Sequence, residues 1–185
     1  MTSWIRVIDE QEAQGKLKRI LGTVREKRGS LSNVMKVHSL DPESIDLHMN
    51  LYLHLMYGRS AVTRQEREMI AVVVSLLNKC DYCVVHHSEA LLAHARQRQL
   101  LENLEKLDFE NISPKNRAML EYASKLTRDP SGLNMNDMDK LRAVGFSDEE
   151  ILRINLITSY FNFVNRIVSG LGVELEDQRD RVYKY

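Results

Sequence analysis

The sequence predicts an all-α protein, on three observations. Apolar residues recur at i, i+3 and i+4 along almost the whole chain. Eight glycines and three prolines in 185 residues are too few for a turn-rich β-sandwich. Helix-opening signatures, among them Asp41-Pro42, Thr63-Arg64-Gln65-Glu66, Ser113-Pro114 and Ser147-Asp148-Glu149-Glu150, stand directly before apolar runs.

Taken in order, the first helix is expected over about Glu10 to Arg28, with Ala13, Leu17, Ile20, Leu21 and Val24 on one face and Gly29 as its stop. A connector containing Ser and Asn leads to Asp41-Pro42 and a second helix to about Tyr57, ended by Gly58. The third opens on a capping box, in which Thr63 and Glu66 satisfy each other's free amide groups. Its body, Met69 to Leu77, is apolar except for Ser75. Val72-Val73-Val74 would fit a buried strand by composition, but the capping box and the length favour helix. Apolar on nearly every side, this helix belongs at the centre of a core or a subunit interface. A fourth helix is expected from about Asp81 to Gln97, and a short fifth over Gln99 to Leu107. The sixth runs from Pro114 to about Thr127, and Asp129-Pro130-Ser131-Gly132 forms a turn. Asn136 to Val144, closed by Gly145, is the seventh, and the last ends at Gly170-Leu171-Gly172. That makes about eight helices in a single domain over residues 1–185. Residues 1–60 are its N-terminal helices, 61–110 its central helices, 111–173 its C-terminal helices and 174–185 a charged tail.

Twenty-six basic residues balance 26 acidic ones, so nothing points to nucleic acid or an anionic membrane surface. An apolar fraction of 43% with 28% charged residues suits a folded globular chain. The N-terminus lacks the apolar region of a signal peptide. No run reaches the roughly 18 apolar residues of a membrane span. Ile154 to Leu171 is interrupted by Asn155, Asn162, Asn165 and Arg166, which makes it a buried or interface helix. A cytoplasmic location is expected, where thiols stay reduced.

The two cysteines, Cys80 and Cys83, are therefore a redox pair or metal ligands. On a helix, Cys83 lies about 60° from Cys80, and His87 about 40° from Cys83 and between the two in projection. Both sulfurs and one imidazole share a narrow stripe at a helix N-terminus, where the helix dipole favours thiolate. The imidazole can take the thiol proton or hold the thiolate as an ion pair. Sulfurs three residues apart on a helical turn can close a disulfide with little backbone movement. Zinc on Cys80, Cys83, His86 and His87 is the rival reading, but four ligands within eight helical residues would not easily surround one ion. No metal or cofactor is expected. His38, His48 and His54 carry no partner signal and read as surface or packing residues. His94, further along the cysteine stripe, reads as an interface histidine, and Tyr160, Phe161 and Phe163 as core or subunit contacts.

Glu68, Cys80, Cys83 and His87 keep a spacing of glutamate, eleven residues, Cys-x-x-Cys, three residues and histidine. With Asn78, Tyr82 and His86, and with the segment Gly145 to Leu175, they give the chain a resemblance to the AhpD-like alkylhydroperoxidases of the carboxymuconolactone decarboxylase superfamily. The similarity is greatest to the uncharacterised peroxidase-related branch. The resemblance implies an AhpD-like helical bundle and an assembly of identical chains, from dimer to hexamer. It implies a thiol-dependent peroxidase in which Cys83 meets the hydroperoxide, Cys80 resolves the sulfenic acid to a disulfide, and His87 with Glu68 relays protons. The electron donor would be a thiol reductant of dihydrolipoamide, thioredoxin or peroxiredoxin type.

A plain antiparallel hairpin would leave Glu68 roughly 6 Å short of His87 along the axis, so their contact is implied by the family motif alone. Tyr82 stands where well-studied AhpD members carry another histidine, and tyrosine, with a pKa of about 10, is the weaker relay. His86 is the candidate substitute. The alternative is an oligomeric redox-sensing or binding protein without peroxidase turnover.

Overall fold

The computed structural model describes residues 2–95 and 97–177. Among these residues regular structure is entirely helical, in the order α1 (Gly15–Arg28), α2 (Asn33–Lys36), α3 (Pro42–Tyr57), α4 (Arg64–Leu77), α5 (Asp81–Ala95), α6 (Arg98–Glu105), α7 (Pro114–Arg128), α8 (Met135–Ala143) and α9 (Asp148–Leu171). Short 3-10 turns at Val37–Leu40 and Pro130–Gly132 complete the set. None of these helices is long and apolar enough to cross a membrane.

The described chain forms two compact units, residues 2–54 with 166–177 and residues 55–165. The larger unit, 55–165, is organised around α4. Every residue from Met69 to Val74 is fully buried, as an amphipathic stripe widened to the whole circumference requires. The helix packs against α5, α6 and α7. It opens as expected, with Thr63 Oγ1 accepting from Glu66 N at 3.2 Å and Glu66 Oε2 accepting from Thr63 N at 2.7 Å.

Its other end is closed by a Schellman turn. Lys79 N donates to Leu76 O at 3.0 Å, and Cys80 N reaches back to Ser75 O at 2.9 Å. The turn needs a left-handed residue, and Lys79 supplies it at φ 55, a conformation that costs an L side chain about 1–2 kcal/mol. Asparagines from α9 clamp the same corner. Asn78 Nδ2 donates to Asn162 Oδ1 at 3.0 Å and to Asn165 Oδ1 at 2.9 Å. Asn165 Nδ2 donates to Ser75 Oγ at 3.1 Å, with both side chains buried.

In the smaller unit, Leu17, Leu21 and Val24 of α1 are buried, as are Ile45 and Met49 of α3. Thr2 O accepts from Glu174 N at 3.0 Å, and Leu171 O accepts from Trp4 N at 2.8 Å. Gly172, at φ +57, lies so close under the Trp4 indole that a Cβ would collide with it.

Two expectations need correction in detail. Helix α1 starts at Gly15, not near Glu10: residues 10–12 form a turn, and Gly15 at φ +53 breaks continuity with it. The connector before α3 contains α2, a single turn that periodicity over longer windows passes over. The first residues of the charged tail are docked: Glu174 O accepts from Asn33 Nδ2 at 2.9 Å, and the buried Glu176 carboxylate accepts from Asn33 N. Residues 178–185 lie outside the described residues, as does Arg96 near the end expected for the fourth helix.

Candidate active site

Cys80 occupies the junction of two helices. Its amide closes α4, and its carbonyl accepts from Val84 N at 3.0 Å to begin α5. Cys83 follows within the first turn of α5. Both side chains are thiols, and each residue is only 2% exposed. Tyr82, also buried, sets its ring 4.6 Å from that of His86.

His87, one turn beyond Cys83, meets Glu68 from α4: Nδ1 lies 2.6 Å from Glu68 Oε2. The offset of a plain hairpin does not keep the two apart. The Phe161 ring from α9 packs against His87 nearly at right angles, at 4.5 Å between centroids and 79° between planes.

Glu68 is completely buried. An isolated carboxylate there would be driven to accept a proton, but Oε1 receives Arg64 Nε at 2.8 Å and Arg64 Nη2 at 2.5 Å. Burial pushes the carboxyl pKa up, and the charges and hydrogen bonds of His87 and Arg64 outweigh it, leaving Glu68 below its ordinary range. An ionised carboxylate only accepts, so the hydrogen in the 2.6 Å contact sits on His87 Nδ1. In the neutral ring, Nε2 is then the nitrogen that can take a proton.

Arg64 is itself held. Nη1 donates to Met56 O at 3.1 Å, Nη2 to Tyr57 Oη at 3.0 Å, and the guanidinium carbon lies 3.8 Å from the Tyr57 ring centroid. In the sequence Arg64 does not stand out. Its i, i+4 relation to Glu68 was the available signal, but that spacing occurs on most helix surfaces.

The structure therefore brings Glu68 and His87 into contact and places Cys80 and Cys83 at the head of the His87 helix. Among the described residues no group of three or more His, Cys, Asp and Glu side chains is arranged to hold a metal ion. A groove of about 540 Å³, lined by Gln65, Arg98, Asn103, Asn111 and Asn116 among others, contains neither cysteine.

The family model described as Carboxymuconolactone decarboxylase family matches residues 42–125. An uncharacterized peroxidase-related protein from Silicibacter sp. TM1040 is 30% identical, with a TM-score of 0.85 over 97% of this chain and 95% of that one. A protein from Ralstonia eutropha JMP134, described as an alkylhydroperoxidase AhpD core and uncharacterized peroxidase-related protein, is 28% identical, with a TM-score of 0.86 over 100% and 99% of the two chains. The debrominase Bmp8, solved as a cysteine-to-alanine variant with 2,3,4-tribromopyrrole, shares the fold at 18% identity and a TM-score of 0.78, over 95% of this chain and 93% of that one.

Proposed function

Because this chain belongs to the AhpD-like carboxymuconolactone decarboxylase superfamily, we propose that it is a thiol-dependent peroxidase that reduces hydroperoxides through Cys80 and Cys83. The observation that carries this reading is the bond to the fully buried Glu68 from Nδ1 of His87, on the helix that Cys80 precedes and in whose first turn Cys83 sits.

Glu68 fixes the His87 tautomer, and Nε2 withdraws the thiol proton. The Cys83 thiolate attacks the distal oxygen of the hydroperoxide, and the O–O bond breaks. The alkoxide takes a proton and leaves as the alcohol, while Cys83 becomes a sulfenic acid. The Cys80 thiol then attacks the Cys83 sulfur, a disulfide forms and water departs. A dithiol donor returns both cysteines to thiols and is itself oxidised to a disulfide. A reducing compartment such as the cytoplasm suits this cycle. Leu152, Leu156 and Phe163, all exposed along one stripe of α9, are the surface on which copies of the chain would assemble.

Burial of both sulfurs, with Tyr82 between them, favours a second reading: a redox-sensing or binding protein whose disulfide forms without turnover. The deciding experiment is peroxide consumption by the reduced protein with dithiothreitol or dihydrolipoamide, beside Cys80→Ser and Cys83→Ser, with mass spectrometry for the disulfide. Turnover that collapses in both variants supports the peroxidase. A disulfide that forms once and stops the reaction supports the sensor. Since a debrominase shares the fold, bromide release from a brominated pyrrole is measured alongside.

A further inference from the structure

We propose that Arg64 is the positioning residue of the site: its guanidinium takes one oxygen of the buried Glu68 carboxylate and leaves the other to His87, so that the pair needs no extra proton to stay buried and His87 keeps Nε2 for the thiol proton. The inference rests on the reading of Glu68 and His87 as the proton-handling pair.

The argument begins with charge. A buried carboxylate beside an imidazole, with nothing else near, keeps a proton between them: the carboxylate favours imidazolium, and burial penalises a lone anion. Such a pair is a poor acceptor for a thiol proton. A guanidinium on the far side of the carboxylate changes this, because it neutralises the anion without needing a proton. Arg64 has the required geometry. Two of its nitrogens reach Glu68 Oε1, at 2.8 and 2.5 Å, which leaves Oε2 for His87. The carboxylate is thereby split between its partners, one oxygen each, and its plane is set. Met56 O and the Tyr57 hydroxyl and ring hold the guanidinium from behind, so its position does not depend on Glu68 alone.

The other ionisable groups do not duplicate this role. Arg67 on α4 spends its donors on backbone carbonyls, Nε on Val62 O at 2.8 Å and Nη1 on Leu55 O at 3.1 Å and Gly58 O at 2.9 Å. Its charge acts on Glu68 without a hydrogen bond between them, and Arg153 of α9 acts on Arg67. Glu66 is committed to the cap at Thr63. From α3 the facing group is Tyr57, which bonds Arg64. α5 carries Asp81, Tyr82, Cys83, His86, His87, Glu89 and His94, and of these His87 is the one that hydrogen-bonds Glu68.

The test titrates His87 by NMR in the wild type, Arg64→Gln and Arg64→Lys, and measures the pH dependence of Cys83 alkylation by iodoacetamide in the same proteins. Circular dichroism and thermal melting establish that each variant is folded. Removing a cation that disfavours imidazolium and neutralises its carboxylate partner raises the protonation midpoint of His87 by about one pH unit or more in Arg64→Gln. Arg64→Lys retains the cation and stays nearer the wild type than Arg64→Gln does. The acid limb of the alkylation profile moves with the His87 midpoint. A folded Arg64→Gln protein with an unmoved His87 midpoint overturns the proposal, and so does Arg64→Lys shifting as far as Arg64→Gln. The readouts do not require peroxidase turnover. If the wild type consumes no peroxide while the midpoint moves as expected, the proposed function fails and the role of Arg64 stands. If turnover is brisk and the midpoint is fixed, the reverse holds.

Discussion

Replacing Glu68 with glutamine changes one atom in the site and should invert the chemistry of His87. The glutamine amide has one acceptor and one donor end. Turning its NH₂ toward Arg64 would set donor against donor, so its oxygen stays on the guanidinium and the NH₂ faces His87. His87 Nδ1 must then accept, which moves the ring proton to Nε2 and removes the base. A general base of this kind contributes about 10²–10⁴ in rate, so turnover should fall by that order even though no thiol is touched. In stability the variant loses one charge-assisted hydrogen bond in a fully buried place and weakens the other, about 2–3 kcal/mol in all. For a chain of this size that is roughly a 5–10 °C drop in melting temperature. The assay combines thermal melting and peroxide consumption with ¹⁵N NMR, which distinguishes the two tautomers. Acid stability supplies a further sign. The folded pKa of Glu68 lies below its ordinary 4.5, so its contribution is present above that pH and is lost as pH falls through the folded value. Glu68→Gln should therefore show a shallower acid slope than the wild type. A variant that keeps hydrogen on Nδ1, melts with the wild type and turns over within threefold of it would refute the reasoning.

Three further outcomes are expected. In the smaller unit, burial and then the neighbouring His38 push His48 down to about 3 from 6.5; its contribution to stability is complete above pH 6.5 and drains away toward pH 3, so His48→Gln should flatten that part of a stability–pH curve. Lys79→Gly relieves a left-handed side chain and should raise stability by about 0.5–1 kcal/mol, read as an upward shift in the urea midpoint at constant slope. Leu156→Glu with Phe163→Glu places charge on the exposed stripe of α9 and should reduce the particle mass in sedimentation or light scattering if copies pack there, with helical content unchanged.

The helices were legible because their signals are local. Thr63 and Glu66 cap α4 as their spacing requires, and six consecutive buried residues follow from an apolar run without a polar side. The partnerships were less legible because they join residues distant in sequence. Asn162 and Asn165 read as interruptions of an apolar helix, yet their amides are what bind the corner at Asn78. His38 and His48 gave no partner signal, and they are each other's partner, with Nε2 and Nδ1 3.2 Å apart. Arg64 looked like any charged residue in the first turn of a helix, because nothing in a sequence shows that the carboxylate one turn on will be sealed from water.

Cys80 gives the fold an unusual economy, since one residue's amide ends a helix and its carbonyl starts the next. Its backbone therefore has almost no freedom left to lose when its sulfur changes bonding partner. Oxidation and reduction should then be nearly silent in the main chain, with the Cys80 amide exchanging its hydrogen at the same slow rate in both states. Any message sent by the redox state of this pair would have to travel through side chains alone, and a partner that senses it must read the surface beside the sulfurs rather than a moved helix.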